Sequence, residues 1–349
     1  MFVVYSILLF SFLIFVHEFG HFITAKLSGV QVNEFSMFMG PAIFKKQVGE
    51  TLYSIRLIPI GGYCAMEGED EETENPRSFR SAKWWKRLII LVAGAFMNLI
   101  VGVVLFFIVF SNYVALDTPV IQNATPGNTI IRDDGLQVGD RFLEINGEKV
   151  YIANDFSMLM SLSDDTPDLV VERNGQKIYL EDYKMEMHTF PNEDSPRYGF
   201  SFGLEENSLW NRLKYTANYS VDMIRSVRLS LGMLFTGKAG VQDMSGPVGI
   251  VQVMSDSASQ AETSKGAFLT ILMFGGFLGI NLAVMNLLPI PALDGGRVVG
   301  LLLTTAVEKF TKKKINPKVE GYIHGAGMIL LLALMALIMF KDVFFIFKG

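Results

Sequence analysis

The sequence predicts a membrane protein that is mainly α-helical with some β structure, and three observations support this prediction. Half of the 349 residues are hydrophobic and 19% are charged, and the mean hydropathy of +0.34 is too high for an ordinary soluble protein of this size. Four segments are long and apolar enough to cross a hydrocarbon core, which takes about 20 helical residues. Short alternating runs between these segments predict β-strands, next to the membrane and outside it.

The four predicted transmembrane helices are residues 2–26, 88–110, 267–290 and 323–340. The loops after the first and third helices are rich in lysine and arginine, so the positive-inside rule places both loops in the cytosol. The N-terminus, the long region 111–265 and the C-terminus then face outward. The start of the chain lacks the basic region and small-residue cleavage site of a secretory signal, so we expect the first helix to be retained.

Strand patterns occur in both regions between the predicted helices. In the first cytosolic loop, residues 34–44 and 51–66 alternate apolar and polar side chains, which predicts a β-hairpin sheet against the bilayer. Between residues 118 and 204, short alternating runs are separated by Asn146-Gly147 and Asn174-Gly175, which favour two-residue hairpins. A small, mostly β domain is therefore expected outside the membrane.

An amphipathic segment follows this domain. Within residues 209–235, Leu213, Ala217, Val221 and Leu231 lie near one helical face. A helix lying at the membrane surface fits this pattern best, and a helix packed on the β domain is the alternative. The chain thus divides into four parts. Residues 1–114 contain the first two transmembrane helices and the hairpin region, and residues 115–206 form the β domain. Residues 207–262 contain the surface helix, and residues 263–349 contain the last two transmembrane helices.

Two histidines and a glutamate lie near the end of the first predicted helix, in the stretch HEFGH at 17–21. Positions i and i+4 share a helical face, so His17 and His21 can bind one metal ion. Glu18, one residue further round, can reach a water on that ion, take its proton and pass it to a leaving amine. Because ionisable groups at membrane depth need a partner, chance packing of these three residues is a poor explanation.

A catalytic zinc usually has three protein ligands, so a further ligand must come from elsewhere in the chain. Asp294 follows an apolar helix interrupted by Pro289 and Pro291, which break it where the backbone must bend. Gly295 and Gly296 come directly after it and allow tight packing. Asp294 is therefore the predicted third ligand.

A count of helical residues supports this choice. About fifteen apolar residues precede His17, so they cover roughly 22 Å of a core about 30 Å thick and place the site nearer the cytosolic face. Asp294, at the cytosolic end of the third predicted helix, lies at a matching depth. The weaker candidates are His324, at the start of the fourth helix, and His188, in the outward domain.

Charge and cysteine content exclude other classes of protein. The net charge of −5 and the lack of a basic stripe argue against a nucleic-acid partner. Cys64 is the single cysteine, which excludes an internal disulfide framework and a cysteine-rich zinc site.

Six stretches in order resemble the site-2 protease family of intramembrane zinc metalloproteases, of the RseP type. They are HEFGH at 17–21, IPIGGYCAMEGE at 58–69, AGAFMN at 93–98, GLQVGDRFLEINGEKV at 135–150, LFTGKAGVQDMSGPVGI at 234–250 and NLLPIPALDGG at 286–296. The resemblance implies a zinc metalloendopeptidase with one Zn²⁺ per chain, held by His17, His21 and Asp294, and with Glu18 as the catalytic base. It also implies that the region 115–206 is a single extracytoplasmic PDZ-like α+β domain.

The same resemblance implies how substrate is bound. Asn286 matches the motif asparagine that holds the substrate backbone or the transition state, and Asn98 matches an asparagine near the site in the second helix. Gly61 and Gly62 match a membrane-associated sheet that offers an edge to an unwound substrate.

The implied partners are the lipid bilayer and single-span membrane proteins, such as anti-sigma factors or remnant signal peptides, already cut by an upstream site-1-type protease. The implied location is the bacterial cytoplasmic membrane, with both termini outside. Two alternatives are a peptide-binding membrane module with a vestigial metal site and a metal transporter. The presence of Glu18 and Asp294 disfavours the first, and the lack of an inverted repeat disfavours the second.

Overall fold

The computed structural model describes residues 2–69, 73–190, 195–240, 244, 246–311 and 317–348. Parts of the stretch 234–250 and of the basic segment after the third predicted helix, residues 312–316, lie outside these ranges. The chain forms two compact units, Met1–Phe106 with Met223–Gly349, and Phe107–Asp222.

The elements in chain order are α1 (Phe2–Ser28), β1 (Val32–Val48), β2 (Thr51–Met66), α2 (Trp84–Phe110), β3 (Ala115–Ala124), β4 (Arg141–Ile145), β5 (Glu148–Lys149), α3 (Ala153–Ser161), β6 (Leu169–Arg173), β7 (Gln176–Leu180), β8 (Phe200–Glu206), α4 (Leu209–Phe235), α5 (Pro247–Ser259), α6 (Ser264–Asn286), α7 (Asp294–Thr311) and α8 (Pro317–Lys348). Helices α5 and α7 were not anticipated from the sequence.

In the described part of the chain, four helices, α1, α2, α6 and α8, are long and apolar enough to cross a membrane. This finding confirms the four predicted segments by length and composition. Helix α6 ends at Asn286, earlier than the predicted residue 290, because Pro289 and Pro291 cannot continue a helix. The short loop that results leads directly into α7.

The predicted hairpin sheet is present, and its pairing is more involved than a simple hairpin. Strands β1 and β2 pair antiparallel, with residues 44–48 of β1 opposite 51–55 of β2. Residues 34–37 of β1 face two segments of β2, 52–55 and 62–65. The segment 62–66 of β2 is therefore an edge of the sheet, and no other described strand pairs with it.

A buried apolar cluster joins this sheet to three helices. It contains Ala25, Val30, Val32, Phe35, Cys64, Met66, Phe79, Ile90, Leu91 and Leu301, from α1, the sheet, α2, α7 and the connecting loops. Burying each large apolar side chain contributes roughly 1.5–3 kcal/mol. The cluster thus fixes the sheet against α1, the helix that carries the HEFGH stretch, and against α2 and α7.

The second unit holds a sheet with strand order β7-β6-β4-β3-β8, with β5 paired to β4. Both predicted two-residue turns are confirmed. Asn146 and Gly147 link β4 to β5 with φ of 48° and 77°, and Asn174 and Gly175 link β6 to β7 with φ of 51° and 78°. Positive φ at both central residues is the type I′ geometry that asparagine-glycine pairs favour.

The predicted amphipathic helix is α4. Within the second unit, Tyr215 of α4 donates a hydrogen bond of 2.5 Å to Asp117 of β3, and its ring contacts Phe110 at 4.8 Å between centroids. The first half of α4 therefore packs on the β domain, which is the alternative that the sequence left open.

Candidate metal centre

The two histidines of HEFGH share one face of α1. The centroids of the His17 and His21 rings are 4.8 Å apart, and their Nε2 atoms are 3.2 Å apart. The Oδ2 atom of Asp294 lies 3.2 Å from His17 Nε2 and 3.3 Å from His21 Nε2. The three predicted ligand atoms therefore form a nearly equilateral triangle.

The size of this triangle fits a zinc ion. Tetrahedral zinc with bonds of about 2.0–2.1 Å holds its ligand atoms about 3.3 Å apart. Asp294 Oδ2 is also buried, and no well-formed hydrogen bond reaches it from the described residues. A buried carboxylate oxygen without a donor is unfavourable, and a cation would satisfy it. Within the described ranges, these residues are the one group with spacing for a metal.

A backbone carbonyl of α2 orients the second histidine. His21 Nδ1 lies 2.8 Å from the carbonyl oxygen of Ile90, which is fully buried. The Nδ1–H group therefore donates to this carbonyl, which leaves the lone pair of Nε2 free for a metal. Sequence reasoning missed Ile90 because any residue at that position offers the same carbonyl.

Helix α2 makes room for both histidines with a glycine. A Cβ atom at Gly94 would overlap His21 Nε2 and lie 2.8 Å and 2.9 Å from His17 Cε1 and Nδ1. On the facing side, a Cβ at Gly20 would lie 2.5 Å from the carbonyl oxygen of Ala93. The two helices thus meet closely at the site. Gly94 belongs to the AGAFMN stretch at 93–98, but it was not identified from the sequence as a residue of the site.

Asp294 is the first residue of α7 and comes from a tightly folded chain segment. A Cβ at Gly295 would overlap the carbonyl oxygen of Leu288, and a Cβ at Gly296 would overlap that of Ile290. The first turn of α7 can therefore fold back on the preceding loop only with glycine at both positions. This confirms the expected reason for the two glycines.

Glu18 faces the edge segment 62–66 of β2. The backbone N–H of Cys64 faces its carboxylate. A Cβ at Gly62 would lie 3.5 Å from Glu18 Cγ. The structure therefore brings Glu18 and Gly62 together. Gly61 has a φ of +82°, and a Cβ there would lie 3.1 Å from Met39 Cγ. Gly61 therefore lies at the bend of β2.

The two asparagines differ in their distance from the site. Asn286, the last residue of α6, has its Nδ2 atom 3.5 Å from His17 Nδ1, so it lies beside the predicted metal ligands. Asn98 lies one turn beyond Gly94 on α2 and is 1% exposed, and no described donor reaches its Oδ1 atom. No hydrogen bond joins Asn98 to the three ligands in the described part of the chain.

The chain is similar to known metalloproteases over nearly its whole length. The sequence profile of peptidase family M50 matches residues 5–334. A protein of Clostridium acetobutylicum named as a candidate zinc metalloprotease is 37% identical and covers 98% of this chain and 97% of its own. The zinc metalloprotease RasP of Shouchella clausii is 28% identical, covering 97% of each chain. The regulator of sigma-W protease RasP of Bacillus subtilis is 26% identical, covering 98% of each chain.

Proposed function

The chain belongs to peptidase family M50 and is a zinc metalloprotease, and we propose that it hydrolyses peptide bonds within the transmembrane segments of single-span proteins. The observation that carries this proposal is the place of the catalytic groups. His17, Glu18 and His21 all lie within Val4–Ser28, a helix long and apolar enough to cross a membrane. Groups held inside such a helix reach bonds at the same depth.

The chemistry follows from the residues around the ligand triangle. A zinc ion held by His17, His21 and Asp294 would supply a Lewis acid that polarises the substrate carbonyl and acidifies a bound water. Glu18 takes the proton of the attacking water and delivers it to the leaving amine. The N–H of Cys64 orients the Glu18 carboxylate for this transfer, and Asn286 beside His17 holds the substrate backbone.

The edge segment 62–66 of β2 binds the substrate in this proposal. A transmembrane helix hides its peptide groups in its own hydrogen bonds, so the helix must unwind locally before it is cut. The freed N–H and C=O groups then pair with the sheet edge in the manner of strand addition. The closeness of Gly62 to Glu18 supports this role, because it puts the edge beside the catalytic base.

The biological setting is proposed from the relatives and from charge. The name of the Bacillus subtilis relative supports substrates such as anti-sigma factors, with remnant signal peptides as a second group. The substrates would first be shortened by a site-1-type protease. We place the chain in the bacterial cytoplasmic membrane with both termini outside, and residues 115–206 in an extracytoplasmic PDZ-like domain.

The test is to map the cleaved bond. The purified protein is incubated in liposomes with a tagged single-span substrate, and the products are identified by mass spectrometry. Cleavage within the apolar segment, lost with a chelator, is the expected result. Cleavage confined to exposed loops, with equal activity on an unfolded soluble protein, would overturn the intramembrane proposal and leave an ordinary metalloprotease.

A further inference from the structure

The loop that leads to Asp294 contains an alanine in a conformation that L-residues rarely adopt. Ala292 has a φ of +81°, in the left-handed region where only glycine is free of steric strain. Ala292 lies two residues before Asp294, so its backbone conformation sets the point from which α7 starts. Such a conformation persists only when surrounding structure holds it.

Helix α8 supplies the contact that holds this loop. The N–H of Ala292 donates a hydrogen bond of 3.1 Å to Nδ1 of His324. The loop's own hydrogen bonds, from Ile290 to Leu288 and from Leu293 to Ile290, use neighbouring N–H groups. The accepting Nδ1 carries a lone pair, so the neutral ring bears its proton on Nε2.

A second contact on the same face of α8 supports the first. Gly327 lies three residues after His324, and positions i and i+3 of a helix are neighbours. A Cβ at Gly327 would lie 2.5 Å from Pro291 Cβ and 2.7 Å from the carbonyl oxygen of Pro291. Two consecutive loop residues, Pro291 and Ala292, therefore contact one face of α8.

We propose that His324 is a positioning residue, which holds Ala292 in the left-handed conformation and so keeps the Asp294 carboxylate within reach of His17 and His21. The proposal rests on the metal site proposed above. The two histidines are set by the helix that carries both of them, whereas Asp294 arrives through a strained loop. Without the acceptor on α8, Ala292 relaxes to a negative φ and the start of α7 shifts.

The experiment measures zinc affinity of the full-length protein in detergent, by competition with a chromophoric chelator. His324→Leu removes the acceptor and keeps a similar volume, and we expect zinc affinity to fall about 10–100-fold, as for other residues that orient metal ligands. His324→Asn retains an acceptor close to the position of Nδ1, so we expect its affinity to stay near that of the parent. Tyr322→Leu, at a position of α8 that is 77% exposed, is the matched control and leaves affinity unchanged.

A second background tests the link to Ala292. Glycine adopts positive φ without support, so in an Ala292→Gly protein the change His324→Leu should weaken zinc binding much less than it does beside Ala292. Equal losses in both backgrounds would overturn the proposed route through Ala292. Equal losses with leucine and with asparagine at position 324 would overturn the role of the hydrogen bond.

One further variant separates this inference from the metal site itself. Asp294→Ala should weaken zinc binding more than His324→Leu does. Unchanged affinity in Asp294→Ala would overturn the proposed metal site. A large loss in Asp294→Ala with none in His324→Leu would leave the metal site standing and overturn the role of His324 alone. Thermal unfolding of each variant reports whether the protein is folded.

Discussion

The two halves of the metal centre are built in different ways. His17 and His21 are four residues apart in one continuous helix, so local helix geometry brings their Nε2 atoms to 3.2 Å. Asp294 begins another helix after a loop with two prolines and the left-handed Ala292, and it depends on contacts with α8. The helical half of the site is therefore encoded locally, and the loop half depends on tertiary structure.

The largest expected effect is a loss of cleavage without a loss of zinc binding, and it concerns the helical half of the site. Glu18→Gln removes the proposed catalytic base and keeps the shape of the side chain, so we expect cleavage to slow about 10²–10⁴-fold. Zinc content should stay at the parent level, because Glu18 is outside the ligand triangle. Cleavage rate and bound zinc are measured on the same preparation. A variant that cleaves at the parent rate would show that another group acts as the base.

The next effect tests whether the helical half needs the space left by α2. Gly94→Ala puts a methyl group onto His21 Nε2 and against the His17 ring. Overpacking of this kind destabilises by about 1–3 kcal/mol, and we expect zinc affinity to fall as well because both ligands must move. The measurements are chelator competition and thermal unfolding.

Gly232→Ala is the matched control for this change. Gly232 is also in a helix, α4, and a Cβ there meets no atom within 4 Å. Alanine is a better helix former than glycine by up to about 1 kcal/mol, so stability should stay or rise. Parent-like zinc affinity in Gly94→Ala would show that the helices can separate at no cost to the site.

A smaller effect concerns the sheet that faces Glu18. Arg56 donates hydrogen bonds to Ser36 Oγ at 3.0 Å, to the Gly40 carbonyl at 2.7 Å, to Glu34 Oε1 at 2.8 Å and to the Tyr63 hydroxyl at 2.5 Å. Because these partners come from both strands, Arg56→Ala should lower the free energy of unfolding.

The control for the sheet is Arg56→Lys, which keeps the charge and loses the forked geometry. It should recover only part of the stability, since a lysine ammonium cannot reach the same set of acceptors. Urea denaturation followed by tryptophan fluorescence measures both variants. Full recovery with lysine would mean that charge alone holds the strands together.

The smallest expected effect is a pH dependence at the end of α1. Hydrogen bonds from Arg77 and Lys26 lower the pKa of Glu50 to about 2. A carboxylate with a lowered pKa stabilises the fold above its unfolded pKa, and this stabilisation is lost as pH falls from about 4.5 towards 2. The ion pairs are exposed to solvent, so the change in Tm is modest.

Glu50→Gln tests this assignment. Across the same interval, the variant should lose less Tm than the parent does, because it has no carboxylate to protonate. Above pH 6 its Tm should lie slightly below that of the parent. Identical pH profiles for the two proteins would show that other carboxylates govern the acid stability.

The sequence anticipated features that depend on neighbours along the chain. Both asparagine-glycine turns and the four apolar helices follow from local propensity and composition, and the structure has them in the predicted regions. The sequence does not reveal helix α7, because charged residues after an apolar helix are typical of a cytosolic loop. The sequence predicts an end of α6 that is too late, because the apolar residues continue past Asn286. The helical backbone ends at Asn286.

The sequence by itself determined the chemistry of this protein, because the residue types and spacing of His17, Glu18 and His21 already define a metal-binding helix face. Tertiary structure alone decided what orients these groups. Three of the orienting groups belong to the backbone: the Ile90 carbonyl, the Cys64 N–H and the Ala292 N–H. Because almost every residue has such groups, no pattern of residue types predicts which of them orient the site. The same holds for His324, whose role is defined by a contact 32 residues away and not by its neighbours in sequence.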